Sequence, residues 1–213
     1  MKKVIIAVVA ISTLMISCGE KKEKIEAKDK VDVAAVVAQN NVDLTSSLLE
    51  WKGSKPTGSH NGTVALKEST LTIKDGKLDS GEFIVDMSSI KVLDIKDPET
   101  AANLVGHLSS EDFFEIGKFP TAKFVIASVS EAEGKLAVTG NLTVKETTKS
   151  MTIPATLTEE GGVYTFKSET FNIDRTEYGI KYKSNKFVNN LKDKFIYDLV
   201  EMSFEVKTKA PVQ

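Results

Sequence analysis

From Asp43 onward, apolar and polar residues take turns with a period of two. Val200-Glu201-Met202-Ser203-Phe204-Glu205-Val206-Lys207 alternates without a fault, and Met151 to Thr158 alternates over its whole length. Leu71-Thr72-Ile73-Lys74, Phe124-Val125-Ile126, Leu136-Ala137-Val138, Leu142-Thr143-Val144 and Tyr164-Thr165-Phe166 add shorter runs. Successive side chains on a strand point to opposite faces, so this pattern predicts strands with one dry face and one wet face. Asn61-Gly62, Asp75-Gly76, Glu133-Gly134 and Gly161-Gly162 separate the runs at short spacing and read as tight turns. Half-wet strands joined by short turns predict an all-β chain, either a sandwich or a closed antiparallel barrel.

Two stretches break the pattern. Asp97-Pro98-Glu99-Thr100 has a capping carboxylate and a proline in the first turn, and Ala101, Leu104, Val105 and Leu108 follow at helical spacing. This predicts a short helical insert near residues 98–114, with Ser110-Glu111-Asp112-Phe113-Phe114 as a second turn. A lone amphipathic insert in a β chain covers a barrel end or the gap between sheets. At the N-terminus, Lys2 and Lys3 precede the apolar run Val4–Ile16, which is too short to span a bilayer comfortably and has the size of a signal-peptide core. Leu14-Met15-Ile16-Ser17-Cys18 then resembles a bacterial lipobox, in which the peptide is cut before the lipid-bearing cysteine. The expected organisation is a signal peptide over residues 1–17, a lipidated flexible tether of mixed charge over 18–41, and a folded domain over 42–209.

Composition removes several classes. Lys+Arg number 28 and Asp+Glu 30, a formal charge of −2, so there is no basic field for a nucleic acid partner. One cysteine excludes a disulfide scaffold and a zinc site built from several thiolates. His60 and His107 are the only histidines and lack any HxH or HExxH spacing, so no metal is expected and each reads as solvated or hydrogen-bonded. No GxSxG elbow, phosphate loop or second thiol points to catalysis.

Three separated blocks carry a family resemblance. They are Leu108-Ser109-Ser110-Glu111-Asp112-Phe113-Phe114 with Lys118-Phe119-Pro120-Thr121-Ala122-Lys123-Phe124, then Val138 to Val144 running into Thr148 to Pro154, then Phe171-Asn172-Ile173-Asp174-Arg175-Thr176-Glu177-Tyr178-Gly179. In that order they resemble the YceI-like family over roughly residues 42–207. The first hairpin departs: Trp51-Lys52-Gly53 and Gly58-Ser59-His60-Asn61-Gly62 stand where a histidine-containing opening is commoner. The resemblance implies an extended lipocalin-like barrel of about eight strands in the bacterial cell envelope, carrying an amphiphile such as a polyprenyl lipid or isoprenoid quinone in an apolar tunnel. It implies no catalysis and no cofactor beyond that ligand.

On this reading Phe83, Val85, Phe113, Phe114, Phe124, Ile126, Phe166, Phe171, Ile173, Met202 and Phe204 are candidates for the tunnel wall. Arg175 and Lys55 are candidates for a head-group contact, because their cationic ends pair well with oxyanions. Alternatives stand beside each. The apolar residues can pack on one another in a filled core, as in a structural or partner-binding β domain. Phe113 and Phe114 can plug a barrel end instead of forming a lid, and Arg175 can pair with a neighbouring carboxylate and fix the turn before Gly179. An enzyme acting on an envelope lipid is a third reading, and it needs titratable groups inside the barrel. The membrane is expected as a partner through acylated Cys18, on the outer membrane facing the periplasm because Gly19 follows the cysteine; a homodimer is left open.

Overall fold

The structure is a computed structural model and describes residues 23–210. The expected signal peptide over residues 1–17 and Cys18 lie outside the described residues. Ten strands and one α-helix follow one another in chain order: β1 Lys28–Asp29, β2 Leu48–Lys55, β3 Gly58–Lys74, β4 Lys77–Val92, α1 Pro98–Ser109, β5 Thr121–Ala132, β6 Lys135–Val144, β7 Thr147–Glu160, β8 Val163–Ser168, β9 Phe171–Asp174 and β10 Leu199–Lys207.

Sheet order decides between sandwich and barrel. Neighbours run β7-β6-β5-β4-β3-β2-β10-β8, and β8 also pairs with β7, so eight strands close on themselves. Every pairing is antiparallel. β9 lies beside the first half of β10 and β8 beside its second half, with Met202 opposite Phe171 and Val206 opposite Phe166.

The two ends of the barrel differ. At one end, the hairpins turn on Asp75-Gly76, Glu133-Gly134 and Gly161-Gly162. Both residues of each pair have positive φ (52° and 73°, 53° and 75°, 59° and 80°), the signature of two-residue turns that match strand twist. The other end carries the longer connections, through α1 and through residues 175–198. Asp97 caps α1 as its sequence predicts, its carboxylate accepting from the Thr100 amide (2.8 Å) and hydroxyl (2.6 Å). The helix stops at Ser109, and residues 111–114 form turns.

One expected turn is not a turn. Asn61-Gly62 lies inside β3, and the hairpin reverses at Pro56-Thr57. Gly62 sits opposite Trp51, and a Cβ there would meet the indole ring (Cζ2 at 2.7 Å) and the Lys91 carbonyl. The glycine is required by close packing instead of by a turn.

Residues 23–41, expected to form a tether, run along the barrel wall. β1 pairs with β7 through Lys28–Ser150 and Asp29–Lys149. Asn141 then binds Val31 twice, its Oδ1 accepting from the amide (3.0 Å) and its Nδ2 donating to the carbonyl (2.7 Å). Further on, Asn41 makes the same pair of bonds to Leu71, at 2.8 and 3.0 Å. Side-chain amides thus do the work of strand neighbours, without any alternation in the strap itself.

Asn141 is buried but Val31 is exposed, so its loss would remove two hydrogen bonds worth about 0.5–1.5 kcal/mol each and leave the Val31 backbone groups to water. Asn141→Ala is expected to lower stability by about 1–3 kcal/mol. A reduced denaturant midpoint together with faster hydrogen exchange at the Val31 amide would show it.

Candidate functional site

The barrel interior is packed at the level of Leu71, Val138 and Ile126 and hollow toward α1, and a separate, half-polar hollow of about 380 Å³ opens at the hairpin end beside Leu78 and Leu136. Leu71 and Val138 are fully buried, and Ile126 belongs with them to the packed cluster. Above them lies a void of about 90 Å³, and beside it, toward α1, a second of about 190 Å³. Leu49, Val85, Leu142, Ile173 and Met202 line both, which makes them the constriction between two chambers.

Ten of the eleven candidate wall residues stand on these chambers. Phe83, Phe124, Phe166, Phe171 and Phe204 line the lower one, Phe113 and Phe114 the upper one, and Val85, Ile173 and Met202 both. The lower aromatics form a connected series, with ring centroids 5.9 Å apart for Phe83–Phe166 and 4.8 Å for Phe166–Phe204. Ile126 is the exception: it is buried in the packed cluster and lines neither chamber. Phe124 and Ile126 share a face, but two residues along the strand carries the side chain down into the filled part.

The upper chamber is closed by elements of irregular sequence. Leu108 at the end of α1, then Phe113 and Phe114, cover one side. Ile180, Ile196 and Tyr197, from the long connection between β9 and β10, cover the other. The two sides meet where Tyr182 stacks edge-on against His107 (4.9 Å) and at 5.5 Å from Phe113. Periodicity is silent about that connection, so these lining residues had no signal in the sequence. Leu49 and Leu142 did have one, since their strand parity turns them inward.

Of the two candidate head-group cations, Arg175 reaches a chamber and Lys55 does not. Lys55 is exposed beside the β2–β3 turn and lines neither chamber. Arg175 touches the upper chamber with four of its five N–H groups engaged by the protein: Nη1 donates to the Ile180 carbonyl (2.8 Å), Nη2 to the Ile196 carbonyl (3.1 Å) and Asp198 (3.3 Å), and Nε to the Tyr197 carbonyl (3.3 Å). This is the structural reading of Arg175, with a carboxylate partner and a turn before Gly179. Burial pulls its pKa below the ordinary guanidinium value, against the opposing charges of Asp198 and Asp174. Beside it, Asp174 accepts from Lys186 Nζ (2.6 Å) and the Thr176 hydroxyl (2.6 Å). Burial works to raise the Asp174 pKa, but these bonds outweigh it and hold the carboxyl below its usual range.

The histidines also take local partners, His60 on Asp94 (2.8 Å) and His107 on Asp112 (3.0 Å). Trp51 Nε1 and Tyr178 Oη are buried without a hydrogen-bond partner, and both residues line the upper chamber. Burial raises the Tyr178 pKa and keeps the phenol neutral.

A closed eight-stranded antiparallel barrel with an apolar interior and a helix over one end is a lipocalin-like fold. The chain belongs to the YceI-like family: the YceI-like domain matches residues 29–208, taking in Asp29 of β1 and most of the strap as well as the barrel. A UPF0312 protein of Pseudomonas putida F1 is 27% identical over 190 residues, covering 85% of this chain and 89% of the relative. Among solved structures, Burkholderia cenocepacia BcnA superposes with a TM-score of 0.64 at 21% identity, over 79% of this chain and 99% of BcnA. A polyisoprenoid binding domain from Saccharophagus degradans, implicated in plant cell wall breakdown, superposes with a TM-score of 0.58 at 16% identity, over 80% and 97% of the two chains.

Removing the Arg175 fork leaves the buried Ile180 carbonyl without its donor and frees the Ile196 and Tyr197 carbonyls, while Asp198 keeps Lys186 (3.5 Å). Arg175→Met is expected to destabilise the protein by about 2–3 kcal/mol, read by denaturant unfolding. Asp174 gives a pH signature. Its folded pKa is depressed below 3.8, so its contribution is complete above that value and fades as pH falls through the lower folded one. Protection of the Thr176 amide should therefore fall below about pH 4, and Asp174→Asn should lower protection already at neutral pH.

Proposed function

We propose that this protein is a non-catalytic carrier that holds the hydrocarbon part of an isoprenoid lipid or quinone inside the barrel. The observation that carries this reading is the pair of adjoining chambers whose walls are apolar side chains. Apolar voids of this order take apolar guests, because water inside them finds few hydrogen-bond partners; on the lining of the upper chamber the unpartnered polar atoms are Trp51 Nε1 and Tyr178 Oη. Burying one five-carbon isoprene unit is worth roughly 4 kcal/mol at about 0.8 kcal/mol per carbon, so a few units exceed the roughly 4–15 kcal/mol cost of association. No polar anchor is needed for tight binding. Four of the five Arg175 N–H groups are taken by the protein, so we place the polar end of the guest at the rim of the upper chamber.

The constriction suits a slim, jointed chain. Met202 is unbranched and adapts its shape, so small side-chain movements at the constriction would join the chambers. The polyisoprenoid-binding relative of like fold supports the same class of guest. For the rest of the molecule, we read Cys18 as the lipidated residue and the protein as an anchored lipoprotein of the bacterial cell envelope, on the outer membrane facing the periplasm.

The filled-core reading fits only the lower part of the barrel, around Leu71, Val138 and Ile126. The test is organic extraction and mass spectrometry of the purified chain from Gly19 on, which retains every described element. An isoprenoid mass in stoichiometric amount is the expected result, and a reproducibly empty protein would overturn the carrier reading. Leu142→Phe narrows the passage between the chambers and is expected to lower the recovered lipid several-fold while the barrel stays folded by circular dichroism.

A further inference from the structure

The rim of the upper chamber carries a feature that the lumen does not require. Ile180 on one stem and Ile196 and Tyr197 on the other form part of the chamber wall, and Arg175 ties the two stems together through their carbonyls. The Ile196 amide adds a bond to the Lys183 carbonyl (2.9 Å). Past this tie the chain leaves the barrel: residues 185–190 are all exposed. At their centre stand Phe187 and Val188, 51% and 41% exposed. The turn beneath them is built, since both of their amides donate to the carbonyl of Ser184, which is fully buried. Lys181 lays its ammonium over the Phe187 ring at 4.8 Å.

Charge is concentrated around the same tip. Lys181, Lys183, Lys186, Lys192 and Lys194 fall within fourteen positions that hold a single acid, Asp193, in a chain whose overall charge is −2. Across the chamber the segment bearing α1 has the opposite balance, with Asp94, Asp97, Glu99, Glu111, Asp112 and Glu115 against Lys96. An aromatic and a β-branched residue held on a rigid exposed turn among lysines match one environment: the interface of an anionic bilayer, where apolar groups enter the acyl boundary and cations meet phosphates.

We propose that residues 181–194 dock the barrel onto an anionic phospholipid bilayer, with Phe187 and Val188 entering the interface and Lys181, Lys183, Lys192 and Lys194 on its phosphates, Lys186 being held by Asp174 and Asp198. The acidic α1 side is repelled, so the molecule meets the bilayer tilted, with the seam between Tyr182 and His107 at the edge of the contact. This deepens the carrier reading by naming the surface with which a guest is exchanged, and the experiment separates the two.

The chain from Gly19 on is mixed with vesicles of phosphatidylcholine, or of an equal mixture of phosphatidylcholine and phosphatidylglycerol. Binding is expected on the mixed vesicles, weakening with salt. Phe187→Glu should lower the partition coefficient about tenfold or more, and Lys192→Glu with Lys194→Glu several-fold. Phe187→Trp should shift its emission to the blue on mixed vesicles and be quenched by brominated acyl chains. Phe187 lines neither chamber, so Phe187→Glu should keep its fold and any lipid that the parent holds. Lipid-loaded protein whose vesicle binding ignores Phe187 and the lysines overturns the docking proposal alone. Empty protein that still binds mixed vesicles through Phe187 overturns the carrier reading and leaves docking standing.

Discussion

Closure of the sheet through β10 is the constraint on which the rest of this molecule depends. β10 pairs with β2 on one side and with both β8 and β9 on the other. A closed sheet has no free edge, and its alternating residues divide cleanly into an inner and an outer set. Eight strands fix an interior only slightly wider than its own side chains can fill. Whether that interior is solid or hollow is then decided residue by residue. Around Leu71, Val138 and Ile126 it is solid, and from Phe166 upward the rings leave space between them.

The ends divide the labour. Three two-residue turns with positive φ pin one end with the shortest connections a hairpin allows. The opposite end keeps its long connections, and one of them is held by a small charged framework of Asp174, Arg175, Lys186 and Asp198. Binding surfaces on rigid β scaffolds sit on such loops, because the scaffold tolerates variation there. Arg175 is therefore best understood as a positioning residue. It shapes the chamber wall by fixing Ile180, Ile196 and Tyr197 through their backbones, and its own charge is spent on the protein.

The barrel was legible in the sequence because strand parity is a local signal: Met151 to Thr158 and Val200 to Lys207 show their inner face without any knowledge of their neighbours. Parity also turns the strand-borne candidates of the wall inward; Ile126 faces inward too but lines neither chamber, since height along the barrel is not a local property. What parity could not give was contributed by non-periodic chain. The strap is held by Asn141 and Asn41, whose amides look like ordinary surface polarity until their partners are known. Gly62 looked like a turn because Asn-Gly usually is one, and the ring of Trp51 across the ladder is the reason it is not. Arg175 advertised a charge, whereas its role is set by carbonyls that carry no mark in the sequence.

The register of β2 against β10, with Leu48 opposite Glu205, has a kinetic side. Hairpins such as β3–β4 and β6–β7 join near neighbours and can form early, but the ring is completed only by the final strand. A chain made from the amino terminus presents the apolar inner faces of β2 to β7 before the final strand arrives, and until then the sheet stands open and half-curled. The same order makes the hollow an event of completion: it comes into being together with β10.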